Sequence, residues 1–505
     1  WNTTFSRCPY GAVVVSLTTS TLGTIVATLA LGACVQGNDY QRPQTEIPDS
    51  WSRLAPIAAT VSSDRGPEAT WWKTFQNDEL SELIERALQQ NHDVKRAVAR
   101  IVEGRASVMS ATAGLFPHLN LSSSYTNIAV SENTLAGLGL ATGQRPGPSI
   151  FATPGTTFDL WNGAMDLRWE IDFWGRIRRG REAAQAETKA IEEDARAVAL
   201  SLISEVGQSY FRIRELDEQF DIATRTLAVR QESLDIIQKR AGVGLASDLD
   251  VKRTEVLVAE AAGLIPGLTR LRAIESHRVE VLTGMAPGSL DLSRTPLRAV
   301  IAQPDIPVGL PSQLLERRPD ILQAEATLIA SNARIGQARA YFFPALMITG
   351  QGGLQSTDFA KWFTGNSFNY SIGPSVTLPI FQGGSNLARL DQAESQYRQL
   401  LESYRQTILQ AFREVADLLV SVHARGEQLT HQRAQLTAAQ EAVRLAQIRY
   451  RKGMVNYLDV LDAQRAVLTA ENQLVFTERA RLTEMVSLFK ALGGGWEPAS
   501  VTPPS

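Results

Sequence analysis

The chain has 505 residues and a formal net charge of −3, with 50 Lys and Arg set against 53 Asp and Glu. That balance excludes the basic surface through which a protein holds nucleic acid. Hydrophobic residues make up 44% of the chain, yet beyond its start no stretch offers the ~20 consecutive apolar residues of a membrane-spanning helix.

Residues 1–33 read as a secretory signal. Arg7 gives the positive start, a mostly apolar run from Gly11 to Ala30 follows, and Leu31-Gly32-Ala33-Cys34 ends it with small residues. Those last four look like a bacterial lipobox, in which Cys34 is acylated and becomes the mature N-terminus. Cleavage there removes Cys8, so no disulfide is expected, although the compartment would permit one. Val35 rather than Asp follows the Cys, which by resemblance to enterobacterial-type sorting favours the outer over the inner membrane. Acyl chains contribute roughly 0.8 kcal/mol per buried CH₂, so a lipidated Cys34 holds the N-terminus at a membrane surface. Residues 34–70, rich in Pro, Ser and Asp, are expected to be extended.

Two structural repeats follow, at 71–310 and 311–496, before a short tail at 497–505. In the first, Leu80, Leu83, Ile84 and Ala87 recur at helical spacing, and Phe116-Pro117 stops the helical stretch. Alternation then predicts strands at about 119–129 and 160–173, with a Gly, Pro, Thr and Ser rich loop between them. Long helices are expected at 175–241 and 246–284. The second repeat keeps the order. A helix ends at Phe343-Pro344, strands fall at about 345–353 and 369–381, and long helices at 384–451 and 456–491. Gly350-Gln351-Gly352-Gly353 closes a strand and opens no helix, so it reads as a loop.

Between the long helices of each repeat lies one phrase, GLASDLDV from Gly244 to Val251 and GMVNYLDV from Gly453 to Val460. Its place is a tip, where two long helices turn back on each other. The helices themselves carry a seven-residue column: Leu387, Glu394, Leu401, Ile408, Val415, Val422, Leu429, Leu436, Val443 and Tyr450. In the first repeat Val206, Ile213, Phe220, Leu227 and Leu234 sit at matching steps. A sustained heptad means coiled-coil packing, and roughly 65 residues at 1.5 Å each reach on the order of 100 Å. Four strands are too few to close a membrane barrel, which needs at least eight. Open sheet edges are not tolerated in lipid, so an exported chain of this kind borrows strands from its own copies, eight from two or twelve from three.

The arrangement resembles the TolC-like outer-membrane efflux family, in particular the lipidated branch serving tripartite RND pumps, typified by OprM and NodT-type proteins. The resemblance covers nearly all of the mature chain. It is carried by Glu316-Arg-Arg-Pro-Asp-Ile321, Ala411-Phe-Arg-Glu-Val-Ala-Asp417, Tyr457-Leu-Asp-Val-Leu-Asp-Ala-Gln464 and Lys490-Ala-Leu-Gly-Gly-Gly-Trp496. It implies an α+β membrane protein: a homotrimer whose twelve-stranded barrel, four strands per chain, continues into a coiled-coil helical tunnel through the periplasm. The implied partners are outer-membrane lipid, a periplasmic adaptor (membrane fusion) protein and an inner-membrane RND transporter. The implied gate sits at the tips, with Leu458 as the apolar constriction and Asp459 and Asp462 as acidic rings. Asp250 and Tyr450 would hold the helix pairs together by a hydrogen bond, and Arg465 would pair locally. Gly244, Leu245, Ala246, Gly453, Met454 and Val455 would meet the adaptor. The first tip departs from the second, with Ala241 where the second has Tyr450 and Lys252-Arg253 where it has Leu461-Asp462. Arg253 is therefore a candidate counter-charge to the second tip's acids.

Nothing in the chain looks catalytic. The five His stand at 92, 118, 277, 423 and 431, without the paired spacing of a zinc site, and no cofactor motif appears. The expectation is a passive exit duct for drugs or other small compounds. The competing readings are a type I duct for secreted proteins, and a periplasmic coiled-coil lipoprotein that conducts nothing.

Overall fold

In the computed structural model of the chain, residues 35–44, 69–129, 157–299 and 311–494 are described. The signal, Cys34 and the C-terminal tail lie outside the described residues.

Helix α1 (Asp78–Gln90) starts where the Asn77 side chain accepts from the Leu80 amide at 2.7 Å, and it buries Leu80, Leu83, Ile84 and Ala87 on one face. Helix α2 (His92–Ala113) leads to strands β1 (His118–Ala129) and β2 (Thr157–Ile171), then to α3 (Arg176–Gly242) and α4 (Asp248–Leu282). The second half repeats the series as α5 (Pro319–Ala340), β3 (Ala345–Ser356), β4 (Phe368–Thr377), α6 (Ser385–Arg451) and α7 (Tyr457–Ala491). Compactness divides the chain across the duplication rather than along it. One unit gathers the strands of both repeats, in residues 112–180 and 334–391, and the other gathers the helices. No helix among the described residues is long and apolar enough to cross a membrane.

All four strands form one sheet in the order β1-β2-β3-β4, every join antiparallel. Side chains alternate between faces along a strand, so the register sorts them. Leu119, Leu121 and Tyr125 lie beside Leu167, Met165 and Trp161, and Leu167 and Met165 continue through Gly350 and Gly352 to Ile372 and Tyr370. Across the sheet, Asn120, Ser122 and Ser124 lie beside Asp166, Ala164 and Asn162. Ser371 and Asn369 carry that polar face across β4. One face is apolar and the other polar, the alternation of a barrel with lipid outside and water within. Aromatic rings mark both ends of β2. Tyr125 lies 4.4 Å from Trp161 at the loop end, and Trp169 donates its indole N–H to the Leu115 carbonyl at 2.9 Å near the helix end. The eight steps between Trp161 and Trp169 cover about 26 Å along the strand at ~3.3 Å per residue, or about 20 Å of height at the tilt of barrel strands, most of a membrane barrel's apolar band.

The glycine run at 350–353, expected as a loop, is the middle of β3. A Cβ on Gly353 would lie 2.1 Å from the Gly163 carbonyl oxygen. The glycine is there because the neighbouring strand's backbone comes too close for a side chain.

In the helical unit Val206, Ile213, Ile408, Val415 and Leu429 of the heptad column are buried and its other apolar members half-buried, whereas Leu387, in the first turn of α6, is 61% exposed. Midway along α3 the core turns polar. Arg214 is fully buried and its guanidinium pairs with Asp217 at 3.0 Å and with Glu79, and donates to the Ser293 carbonyl at 2.6 Å. Asp217 also accepts from Arg272 on α4 at 2.6 Å. Beside them Tyr210 donates to Glu79 at 2.9 Å, and burial pushes its hydroxyl up to about 12.

Candidate functional site: the two helical tips

Helices α3 and α6 end in the same way. Gly244 and Gly453 take φ of 76° and 74°. The amides of Gly244 and Leu245 donate back to Ala241 and Arg240 at 2.9 and 2.8 Å, and those of Gly453 and Met454 to Tyr450 and Arg449, both at 2.9 Å. This is the Schellman turn, which needs a left-handed residue at that one position. Nothing lies within 4 Å of where a Cβ would stand on either glycine, so conformation rather than space selects it.

The next helices are then capped. Ser247 starts α4 with its side chain accepting from the Asp250 amide at 3.2 Å and its hydroxyl donating to the Asp250 carboxylate at 2.7 Å. Asn456 starts α7 by accepting from the Asp459 amide at 3.3 Å. The carboxylates of Asp250 and Asp459 therefore stand in the first helical turn, where they also favour the helix dipole.

Between the two hairpins lies a small core of Ile237, Leu257, Tyr457, Val460 and Leu461, with Ala246 and Tyr450 packed against it. The Tyr450 ring is 5.2 Å from the Tyr457 ring, and the Arg240 guanidinium lies over Tyr450 at 4.7 Å. The contact joins the first tip to the second within one chain. Sequence reasoning passed over Arg240 and Tyr457, because no periodicity tells which faces of helices so far apart in the chain will meet. Two turns above, the buried Arg230 donates to the Leu257 carbonyl at 2.6 Å. Burial lowers its pKa, with Glu260 opposing that shift and Arg465 reinforcing it.

The expected gate residues fall on the outer side of the same turns. Leu458 is 43% exposed, and Asp459, Asp462 and Arg465 are exposed along one side of α7. Leu245 and Met454 are each 68% exposed at the turns, while Ala246 and Val455 are half-buried. Asp250 is hydrogen-bonded to Ser247 and not to Tyr450, which faces Arg240 instead. Arg465 and Asp462 are three positions apart, yet no ion pair joins them among the described residues. On the first tip, Lys252 pairs with Glu255 at 2.9 Å and Arg253 is exposed.

Three of the four phrases that carry the family resemblance meet elsewhere in the helical unit, at Arg318. Its guanidinium donates to Asp320 at 2.7 Å, to Glu414 on α6 at 2.9 Å and to the Ala491 carbonyl at the end of α7 at 2.8 Å. Its charge is held well by these partners, which raise its pKa against the effect of burial. No group of His, Cys, Asp and Glu suited to a metal occurs among the described residues.

Comparison with known proteins gives this geometry its context. A sequence profile described as "Outer membrane efflux protein" matches residues 83–285 and 310–494, one block for each tip. The cation efflux system protein CusC of Escherichia coli strain K12 is 32% identical over 467 residues, 92% of this chain and 97% of CusC. Outer membrane protein OprJ of Pseudomonas aeruginosa is 33% identical over 478 residues, 94% of this chain and 95% of OprJ. Among solved structures, the outer-membrane channel OprN matches with a TM-score of 0.83 at 30% identity, over 92% of this chain and 100% of that one. The Neisseria gonorrhoeae MtrE channel in its open state matches with 0.79 at 28% identity, over 92% and 98%. With both blocks matched and nearly the full length covered, the chain belongs to the outer membrane efflux protein family.

Proposed function

We propose that three copies of this chain form the exit duct of a tripartite efflux system, lipid-anchored through Cys34 and joined by a periplasmic adaptor to an inner-membrane RND transporter. The family is one of channels rather than enzymes, and its place is the outer membrane with an extension into the periplasm. The observation that carries the shared duct is the sheet. It has one apolar and one polar face, and β1 and β4 are edges with no partner strand among the described residues. An edge left open in lipid leaves a row of amides and carbonyls unsatisfied, at several kcal/mol for each group. Further copies remove both edges at once.

The gate in this reading is the second tip. Threefold symmetry gathers three copies each of Leu458, Asp459 and Asp462. Clustered carboxylates repel one another and attract cations, so closure depends on counter-charges. Arg465 and Arg253, exposed and without an ion-pair partner among the described residues, supply these to the neighbouring copy. Tyr450, held under Arg240, keeps the two hairpins of a chain moving together, and Asp250 fixes the start of α4. The adaptor docks on Gly244, Leu245, Ala246, Gly453, Met454 and Val455, where the exposed Leu245 and Met454 offer apolar contacts.

Replacing Asp462 and Arg465 together by Ala is expected to raise single-channel conductance in planar bilayers several-fold. Conductance unchanged from the wild type would overturn the gate assignment while leaving the duct in place.

A further inference from the structure

The connection between β3 and β4, residues 357–367, folds in a direction that the duct reading does not require. Trp362 turns back along the sheet, so that its ring lies 3.0 Å from where a Cβ on Gly163 would stand. Gly163 is on the apolar face, between Trp161 and Met165 along β2. The Trp362 indole N–H donates to the Leu354 carbonyl at 3.1 Å, which holds the ring down. Phe359 packs at 4.8 Å from Trp161, and Phe363 at 4.8 Å from Trp362. A loop that covered the exit would fold toward the polar face; this one folds the other way.

We infer that residues 357–367 form a membrane-contact anchor, whose aromatic side chains lie in the headgroup and upper acyl zone of the surrounding outer leaflet. The inference rests on the outer-membrane reading of the sheet, since it takes the apolar face as the lipid face. All four strands join their helices at one end of the sheet, and this loop is at the other, so it belongs to the outer leaflet.

Two features fit lipid as the occupant. The first is continuity: Phe363 is 73% exposed and Phe359 54%, and the patch runs on into Tyr370 and Ile372 on the apolar face of β4, 76% and 70% exposed. Large exposed apolar patches mark contact surfaces, and this one is an extension of the face already assigned to lipid. The second is that the loop pairs much of its backbone within itself. The Lys361 carbonyl accepts from the Thr364 amide at 3.1 Å and from the hydroxyls of Thr364 and Ser367 at 2.7 and 2.8 Å. The Asp358 carboxylate accepts from the Ala360 amide at 3.0 Å, and the Trp362 amide donates to Phe359 at 3.1 Å. Unpaired backbone groups are costly where water is scarce, so this pairing suits a loop whose backbone stays at headgroup level while its rings reach toward the acyl chains. Lys361 and Asp358, paired at 3.5 Å and both exposed, supply the charge expected at headgroup level, and Trp is the side chain that favours that zone.

The test places an environment-sensitive fluorophore on a single thiol, in a full-length background carrying Cys8→Ser and Cys34→Ser, reconstituted in phospholipid vesicles. Labels are compared at Phe363→Cys, Asn366→Cys and Ile372→Cys. At 363 the dye is expected to be quenched by phospholipid bearing a headgroup-proximal nitroxide and protected several-fold from aqueous iodide relative to 366. Equal iodide quenching at 363 and 366 overturns the anchor. So does shielding of 363 from both quenchers, which would place it against protein, as a lid or a second copy would. The label at 372 separates the two levels of the argument. If it too escapes the lipid quencher, the lipid assignment of the sheet face fails; if it is quenched while 363 is not, only the anchor fails.

Discussion

The first repeat carries long helices of 67 and 35 residues, α3 and α4, and the second carries α6 and α7 of the same 67 and 35 residues. Their chemistry has diverged nonetheless. The first half buries an ion network around Arg214, Asp217 and Arg272. At the matching offset, that of Gly244 to Gly453, the second half has His423, Gly426 and Arg481. Gly426 still faces Arg481, whose guanidinium carbon lies 3.8 Å from where a Cβ would be, but the carboxylate is gone. At the tips the contrast continues, with Lys252-Arg253 in one and Leu461-Asp462 in the other. The difference teaches what the duplication had to keep. Leu257 of the first hairpin packs with Tyr457 and Val460 of the second, so the helices must end level, whereas their interiors were free to change.

The comparison can be broken most severely at Asp217. Asp217→Ala strands Arg214 and Arg272 without their shared carboxylate, and loss of one partner of a buried pair costs about 3–5 kcal/mol. Thermal unfolding of the detergent-solubilised protein should show it as a large fall in transition temperature. A loss below ~1 kcal/mol would mean that the network is solvated and the contrast between the halves is superficial. Where the halves are alike the effects should be alike. Gly244→Ala and Gly453→Ala each force a left-handed side chain, at roughly 1–2 kcal/mol, and hydrogen exchange at the two turns should rise to a similar degree. A large inequality would show that one tip is held by more than its Schellman turn. The smallest expected effect is a gain. Gly426→Ala adds a Cβ that meets the Arg481 guanidinium at ordinary contact distance and removes a helix-interior glycine, for about 0.5–1 kcal/mol of stabilisation by the same unfolding assay.

Much of the fold could be read from periodicity, since a heptad column and two kinds of alternation each have one structural meaning. Glycine was the weak signal. At 350–353 it suggested a turn because its usual role is conformational, but in β3 Gly353 makes room for the backbone of β2, a demand that comes from another strand. The tip was legible as a place, and Leu458, Asp459 and Asp462 are exposed there. Its internal joints were less so. Ser247-x-x-Asp250 has the spacing of a capping box, and within the chain that is the bond Asp250 makes. The stacking of Arg240 on Tyr450 had no local signature, nor did the meeting of three separate phrases at Arg318.

The four-strand count has a consequence for how copies join. Strands β1 and β4 run in opposite directions, so when the β4 of one copy meets the β1 of the next, the seam is antiparallel like the three joins inside each chain. The contact is head-to-tail, and head-to-tail contacts give a ring when the rotation between copies closes. An odd number of strands would have set like-directed edges side by side, and an up-and-down sheet has no parallel join to match them. Parity in each half, two strands at a time, is what lets the duplicated chain tile a circle with itself.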